Sequence, residues 1–166
     1  MSKARRGRAS PAPSVEIVIE SALWKADPTA KTTVRRAVRA AAPPQEHAAE
    51  IAVLLTDDQS IRALNRQWRG HDKATNVLSF PPAASVRGDG VLQLGDIVIA
   101  YETTAMEAAA EGKSFRDHLS HLAVHGTLHL VGYDHESHDE AEIMESLERR
   151  ILARLGVSDP YAARDA

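Results

Sequence analysis

Apolar residues recur along the chain in two rhythms, and the switches between them mark out its elements. Val15-Glu16-Ile17-Val18-Ile19-Glu20 is β-branched and partly alternating, the pattern of a strand with one covered face. Residues 29–42 take helical spacing and stop at Pro43-Pro44. The short apolar run 49–56 (AEIAVLLT) predicts a second strand. Asp57 or Asp58 caps the next helix, which reaches about Arg69 with Gly70 behind it; Ile61, Leu64 and Trp68 form its apolar face. A third strand covers 76–80 and is stopped by Pro81-Pro82, and 83–90 reads as a loop. The fourth strand, 92–100 (LQLGDIVIA), contains Gly95, which marks a bulge or a close approach. A helix at about 103–111 ends near Gly112. Ser114-x-x-Asp117 then resembles a capping box and opens a helix that runs to Val131 and stops at Gly132. Ser137-x-x-Glu140 opens the last helix, closed by Gly156. Strands interspersed with helices, and a helical C-terminal third, predict an α+β fold with a mixed four-stranded sheet.

Composition narrows the chemistry. A chain of 166 residues suits one domain, expected over 15–157, with a basic disordered arm at 1–14 and a tail at 158–166. No apolar run nears the roughly 18 residues that cross a membrane. The basic N-terminus lacks an apolar stretch before Ser14, so it does not read as a secretory signal. There is no cysteine, which removes disulfides, thiolate metal ligands and thiol nucleophiles and fits a cytoplasmic location. Lys3, Arg5, Arg6 and Arg8 sit in the arm without an acid, so residues 15–166 carry a formal −7 against −3 for the whole chain. An overall acidic body with 4% aromatic residues leaves local patches as the only basis for contact with nucleic acid.

A metal, if held, must be held by histidine and carboxylate, and the eight histidines cluster. The stretch 118–135 (HLSHLAVHGTLHLVGYDH) is a core-type helix, apolar nearly all round, that nevertheless carries His118, His121, His125 and His129. Four residues advance a helix by about 400°, so His125 and His129 stand one turn apart on one face. Gly132 ends the helix, and His135 is placed to fold back as a third ligand. The spacing His-x-x-x-His-x-x-Gly-x-x-His is that of the metzincin zinc proteases, and three histidines with an open position describe a catalytic rather than a closed site. His118 and His121 read as supporting or merely packing groups. A zinc protease has glutamate directly after its first ligand; here that position is Gly126, which offers no base, only room for close approach. Metal-assisted hydrolysis survives that loss, because the metal itself lowers the pKa of water. Peptidase chemistry is disfavoured.

Two basic stripes face a possible phosphate. Lys31, Arg35 and Arg39, with Arg36 beside them, lie along the first helix, and Arg62, Arg66 and Arg69 along the second. On either helix such a stripe is equally the solvated outer face. Arg69 stands apart, at the helix end where the chain turns toward the third strand. A guanidinium there can clamp a phosphodiester, or else cap its helix or pair with Asp72.

Taken together these residues resemble a known family. His125-Gly126-Thr127-Leu128-His129-Leu130-Val131-Gly132-Tyr133-Asp134-His135 is similar to the signature of the YbeY family of bacterial endoribonucleases and ribosomal RNA maturation factors. Leu64-Asn65-x-x-Trp68-Arg69-Gly70-x-Asp72-Lys73-x-Thr75-Asn76-Val77-Leu78-Ser79-Phe80-Pro81 and Leu94-Gly95-Asp96-Ile97 resemble two further blocks. The resemblance covers about 15–157. It implies a zincin-like fold with the metal site on a long central helix, and one Zn2+ per chain held by His125, His129 and His135. It also implies cleavage of single-stranded RNA, maturation of the small-subunit ribosomal RNA 3′ end and ribosome quality control in the cytoplasm. The small ribosomal subunit would be the partner, with no DNA or membrane role. Arg69 takes the place of the family's functionally important arginine. Two other readings stay open: a ribosome assembly factor whose metal is mainly structural, and a zinc peptidase.

Overall fold

The computed structural model describes residues 12–83 and 86–162. The arm expected at 1–14 therefore lies largely outside the described residues, and Ser14 already belongs to the first strand. In chain order come β1 (Ser14–Ile19), a 3-10 turn (Ala22–Ala26), α1 (Ala30–Ala41), β2 (Ala49–Thr56), α2 (Asp58–Arg69), β3 (Val77–Phe80), β4 (Leu92–Ala100), α3 (Tyr101–Ala110), α4 (Phe115–Leu130) and α5 (His138–Arg154). The strands form one sheet in the order β1-β2-β4-β3. β1 runs parallel to β2 and β2 parallel to β4, while β3 is antiparallel to β4, so the fold is α+β with a mixed sheet.

Alternation along the strands decides what each face of the sheet meets. Val15, Ile17, Ile51, Val53, Leu55, Ile97 and Ile99 point to one side, where they pack with Val34 and Val38 of α1 and Leu119, Leu122, Ala123 and Val124 of α4. The opposite face holds a smaller cluster, in which Leu78, Val98 and Ala100 meet Ile61 of α2. Polar caps fix where helices begin. The side chains of Asp57, Ser114 and Ser137 accept the backbone N–H of Ser60, Asp117 and Glu140 at 2.8, 3.1 and 3.1 Å. α4 is buried in the middle, in contact with α1, α3, α5, β3 and β4.

Gly95 serves as both bulge and close approach. The β2–β4 register shifts between Glu50 and Ile51, and Gly95 has φ +130°. A Cβ there would stand 2.5 Å from the Phe80 carbonyl oxygen and 2.7 Å from Leu130 Cδ2.

Two sequence expectations are corrected, and one core residue was not foreseen. Trp68 is not on the buried face of α2 but is 64% exposed, because the small second cluster that α2 covers takes in Ile61 and Leu64 but does not extend to Trp68. Trp24, in a 3-10 turn too short to show a periodicity, is buried and donates its Nε1–H to the Thr56 carbonyl at 2.8 Å. α3 follows β4 directly and begins at Tyr101 rather than near 103.

Candidate metal centre

His125 and His129 project from the last turns of α4, one turn apart, with ring centroids 4.6 Å from each other. Gly132, at φ +103°, lets the chain leave the helix while the Tyr133 N–H returns to the Leu128 carbonyl at 3.0 Å. That turn carries His135 back, its ring 5.0 Å from His129 and 5.6 Å from His125. One nitrogen from each of the three rings falls within 4.8 Å of the others.

This donor set suits a tetrahedral metal. Nε2 of His125 and Nε2 of His129 face each other at 3.1 Å. Two nitrogens bound to one zinc ion at the tetrahedral angle stand about 3.3 Å apart, given Zn–N bonds of about 2.0–2.1 Å. Two imidazole lone pairs aimed at one point repel unless a cation or proton lies between them. Burial lowers the pKa of His129, and the neighbouring His125 and His135 charges lower it further against the opposing pull of Asp134 and a backbone hydrogen bond at Tyr133. The neutral imidazole thus favoured is the form that ligates.

Arg69 reaches the same place from α2. A cleft of about 550 Å³ is lined by Arg69, His125, His129 and His135 together with Asn76, Ser79 and Glu136. The Arg69 Nη2 donates to the Ser79 carbonyl at 2.8 Å, and its guanidinium carbon lies 5.8 Å from the centre of the Phe80 ring. It neither caps α2, whose end is closed by Gly70 in the left-handed region, nor pairs with Asp72, which binds Arg62 at 2.9 Å. Asn76, at the entrance to β3, accepts the Val77 N–H on its Oδ1 at 2.7 Å. The α1 stripe of Lys31, Arg35, Arg36 and Arg39 does not line this cleft.

Gly126 does give room for close approach, but what approaches is the sheet. A Cβ there would meet Ile97 Cγ2 at 3.0 Å, Ser79 Oγ at 3.2 Å and Val77 Cγ2 at 3.3 Å. The Ser79 hydroxyl donates to the Gly126 carbonyl at 2.9 Å, tying β3 to the ligand helix.

Sequence reasoning missed Glu148 and Tyr161. Glu148, on α5, is 0% exposed. Its Oε1 accepts from His125 Nδ1 at 2.6 Å, and its Oε2 accepts from His121 Nε2 at 3.0 Å and from the Tyr161 hydroxyl. Burial alone would raise this carboxyl, yet the hydrogen bonds and charges of His121 and His125 outweigh it and hold the pKa at about 2. The signal was present in the sequence: Met144, Glu148, Ile151 and Leu152 share one helical stripe, and a glutamate in an apolar stripe needs a partner. His118 turns away from the three-histidine group and bonds Glu107 Oε1 at 3.0 Å.

Known proteins match this chain along most of its length. A family model described as Endoribonuclease YbeY matches residues 18–156. A protein named Endoribonuclease YbeY from Rhodopseudomonas palustris is 57% identical over 159 residues, covering 92% of this chain and 92% of its own. One of the same name from Nitrobacter hamburgensis is 51% identical over 160 residues, covering 92% and 84%. Among solved structures, a solution structure of a protein from Thermotoga maritima covers 89% of this chain and 98% of its own with a TM-score of 0.51 at 24% identity, a likeness of fold.

Proposed function

The chain belongs to the YbeY family of endoribonucleases, and from that premise we propose that it is a zinc-dependent hydrolase of single-stranded RNA that acts on ribosomal RNA at the small subunit's 3′ end. The observation that carries the reading is the meeting of Arg69 with His125, His129 and His135 in one cleft, although they come from two helices and a loop. The three histidines are the proposed ligands of one zinc per chain. Zinc in such a site polarises a phosphoryl oxygen and lowers the pKa of water toward about 7. The rest falls to the chain. Arg69 spends one of its five N–H donors on Ser79 and keeps others for non-bridging phosphate oxygens, where negative charge gathers during cleavage. Phe80 behind the guanidinium and the Ser79 carbonyl beside it restrict its orientation. His135 is exposed and lines the cleft, which supports an accessible metal rather than a sealed structural one.

The test is single-turnover cleavage of a defined single-stranded RNA by protein freed of contaminating nucleases, before and after chelation and with zinc restored. Cleavage should vanish with the metal, return with zinc, and be absent from His129→Ala prepared in parallel. Casein digestion should stay at background. Cleavage that persists equally in His129→Ala would overturn the assignment.

A further inference from the structure

A buried carboxylate is costly unless hydrogen bonds replace the water it has lost. For Glu148 the replacements are His125, His121 and Tyr161, and the bond from His125 carries information as well as energy. An imidazole that donates through Nδ1 keeps its lone pair on Nε2. The Nε2 of His125 is the atom that faces His129 at 3.1 Å. Turning the ring over would break the 2.6 Å bond to Glu148 and present carbon to the other two histidines.

We propose that Glu148, itself held by Tyr161 and His121, is the positioning residue of the three-histidine site. It fixes the tautomer and ring plane of His125 and thereby sets the affinity for metal. The inference rests on the reading of His125, His129 and His135 as ligands. It also brings the C-terminal segment into the site. Arg149 binds Asp159 at 3.2 Å, Asp159 accepts the Tyr161 N–H at 2.8 Å, and Lys113 donates to the Pro160 carbonyl at 3.2 Å. The Arg149 guanidinium lies 5.3 Å from the Tyr161 ring. These contacts hold the phenol hydroxyl against Glu148, although sequence reading places residues 158–166 outside the domain. The competing role is packing alone, since Met144, Ile151 and Leu152 flank Glu148 on the same buried stripe. A packing role changes the melting temperature and leaves the metal equilibrium alone.

The experiment is a zinc competition titration against a chromophoric chelator, on the full chain and on Glu148→Gln, Tyr161→Phe and His129→Ala. Melting temperatures of the metal-free forms are measured alongside. The unaltered chain should bind one zinc and His129→Ala none at comparable concentration. Glu148→Gln keeps the volume but loses the carboxylate, and should bind zinc about 10–100-fold more weakly. Tyr161→Phe, which touches none of the three ligands, should weaken zinc several-fold, and added zinc should restore its RNA cleavage. Zinc affinity equal to the unaltered chain's in both variants, with only the melting temperature lowered, would overturn the proposal. Should Glu148→Gln fail to fold, Tyr161→Phe decides alone. Failure of the unaltered chain to bind zinc would overturn the ligand reading itself, and this inference with it.

Discussion

Replacing Arg69 by alanine separates what the guanidinium does for the fold from what it does for RNA. Among the described residues it makes one hydrogen bond, to the Ser79 carbonyl, and one cation–π contact, to Phe80, both at an exposed side chain. The bond is worth about 0.5–1.5 kcal/mol. The ring contact at an exposed site adds about 0.5–1 kcal/mol. The total of about 1–2.5 kcal/mol corresponds to a melting temperature lower by about 2–10 °C in a domain of this size. None of the three histidines bonds Arg69, so zinc content should not change. Removing a charge-stabilising donor from a transition state typically costs about 10²–10³ in rate. The expected profile is therefore a small thermal shift, full zinc and a single-turnover rate at saturating RNA reduced by that factor. Arg69→Lys should recover only part of the rate, because an ammonium keeps the charge but loses the planar fork that engages carbonyl and phosphate together. Zinc content, melting temperature and saturated rate are to be measured on one preparation. A saturated rate per folded molecule equal to that of the unaltered chain would show that Arg69 merely pins β3, and would refute the argument.

Three other outcomes are expected. His135→Ala, at an exposed loop position, should lose zinc while the metal-free protein melts close to the unaltered metal-free chain, as checked by metal analysis and a thermal scan. Gly95→Ala places a Cβ 2.5 Å from a backbone oxygen at φ +130°, and should cost about 2–4 kcal/mol, a melting temperature lower by roughly 4–16 °C; a shift under 2 °C would contradict the close approach. Deleting residues 2–13 removes Lys3, Arg5, Arg6 and Arg8, and should weaken RNA binding at low salt and flatten its salt dependence by a slope of up to about 3. Single-turnover cleavage at saturating RNA should not change, and its loss would place the arm in the chemistry.

Local rules carried the reading of this chain a long way where chemistry and periodicity coincide. The His125–His129 pair was legible because a helix has a fixed pitch, and His135 because Gly132 announces the turn that returns the chain. Ser114 and Ser137 were legible as caps, and Asp57 as one of two candidates beside Asp58, because the spacing to the capped N–H is fixed by the first helical turn. What stayed hidden depends on contacts between distant segments. Glu148 lies 23 residues beyond His125, and no spacing rule links two helices whose packing is set by the core. Tyr161 lies 13 residues further on, past the end of α5. Trp68 misled because its position continues the apolar stripe of Ile61 and Leu64, and a stripe does not tell how far the neighbouring surface extends; its ring instead sits 6.4 Å from that of Phe80, open to solvent.

The outer border of the sheet bears on what this cleft admits. Ala100 donates to the Asn76 carbonyl at 3.0 Å, so in the antiparallel pairing of β3 with β4 the residues Val77 and Ser79 turn their own N–H and C=O groups away from β4, toward open space. An extended polypeptide binds such a border by adding itself as one more strand. Here the Val77 N–H is already taken by the Asn76 side chain and the Ser79 carbonyl by Arg69. An incoming peptide that claimed both groups would compete with bonds worth about 1–3 kcal/mol together before any contact of its own. The side chain proposed to receive a phosphate thus also competes with the backbone of a protein substrate for the Ser79 carbonyl. The same two bonds weaken this border as a template for edge-to-edge assembly with a second copy of this chain.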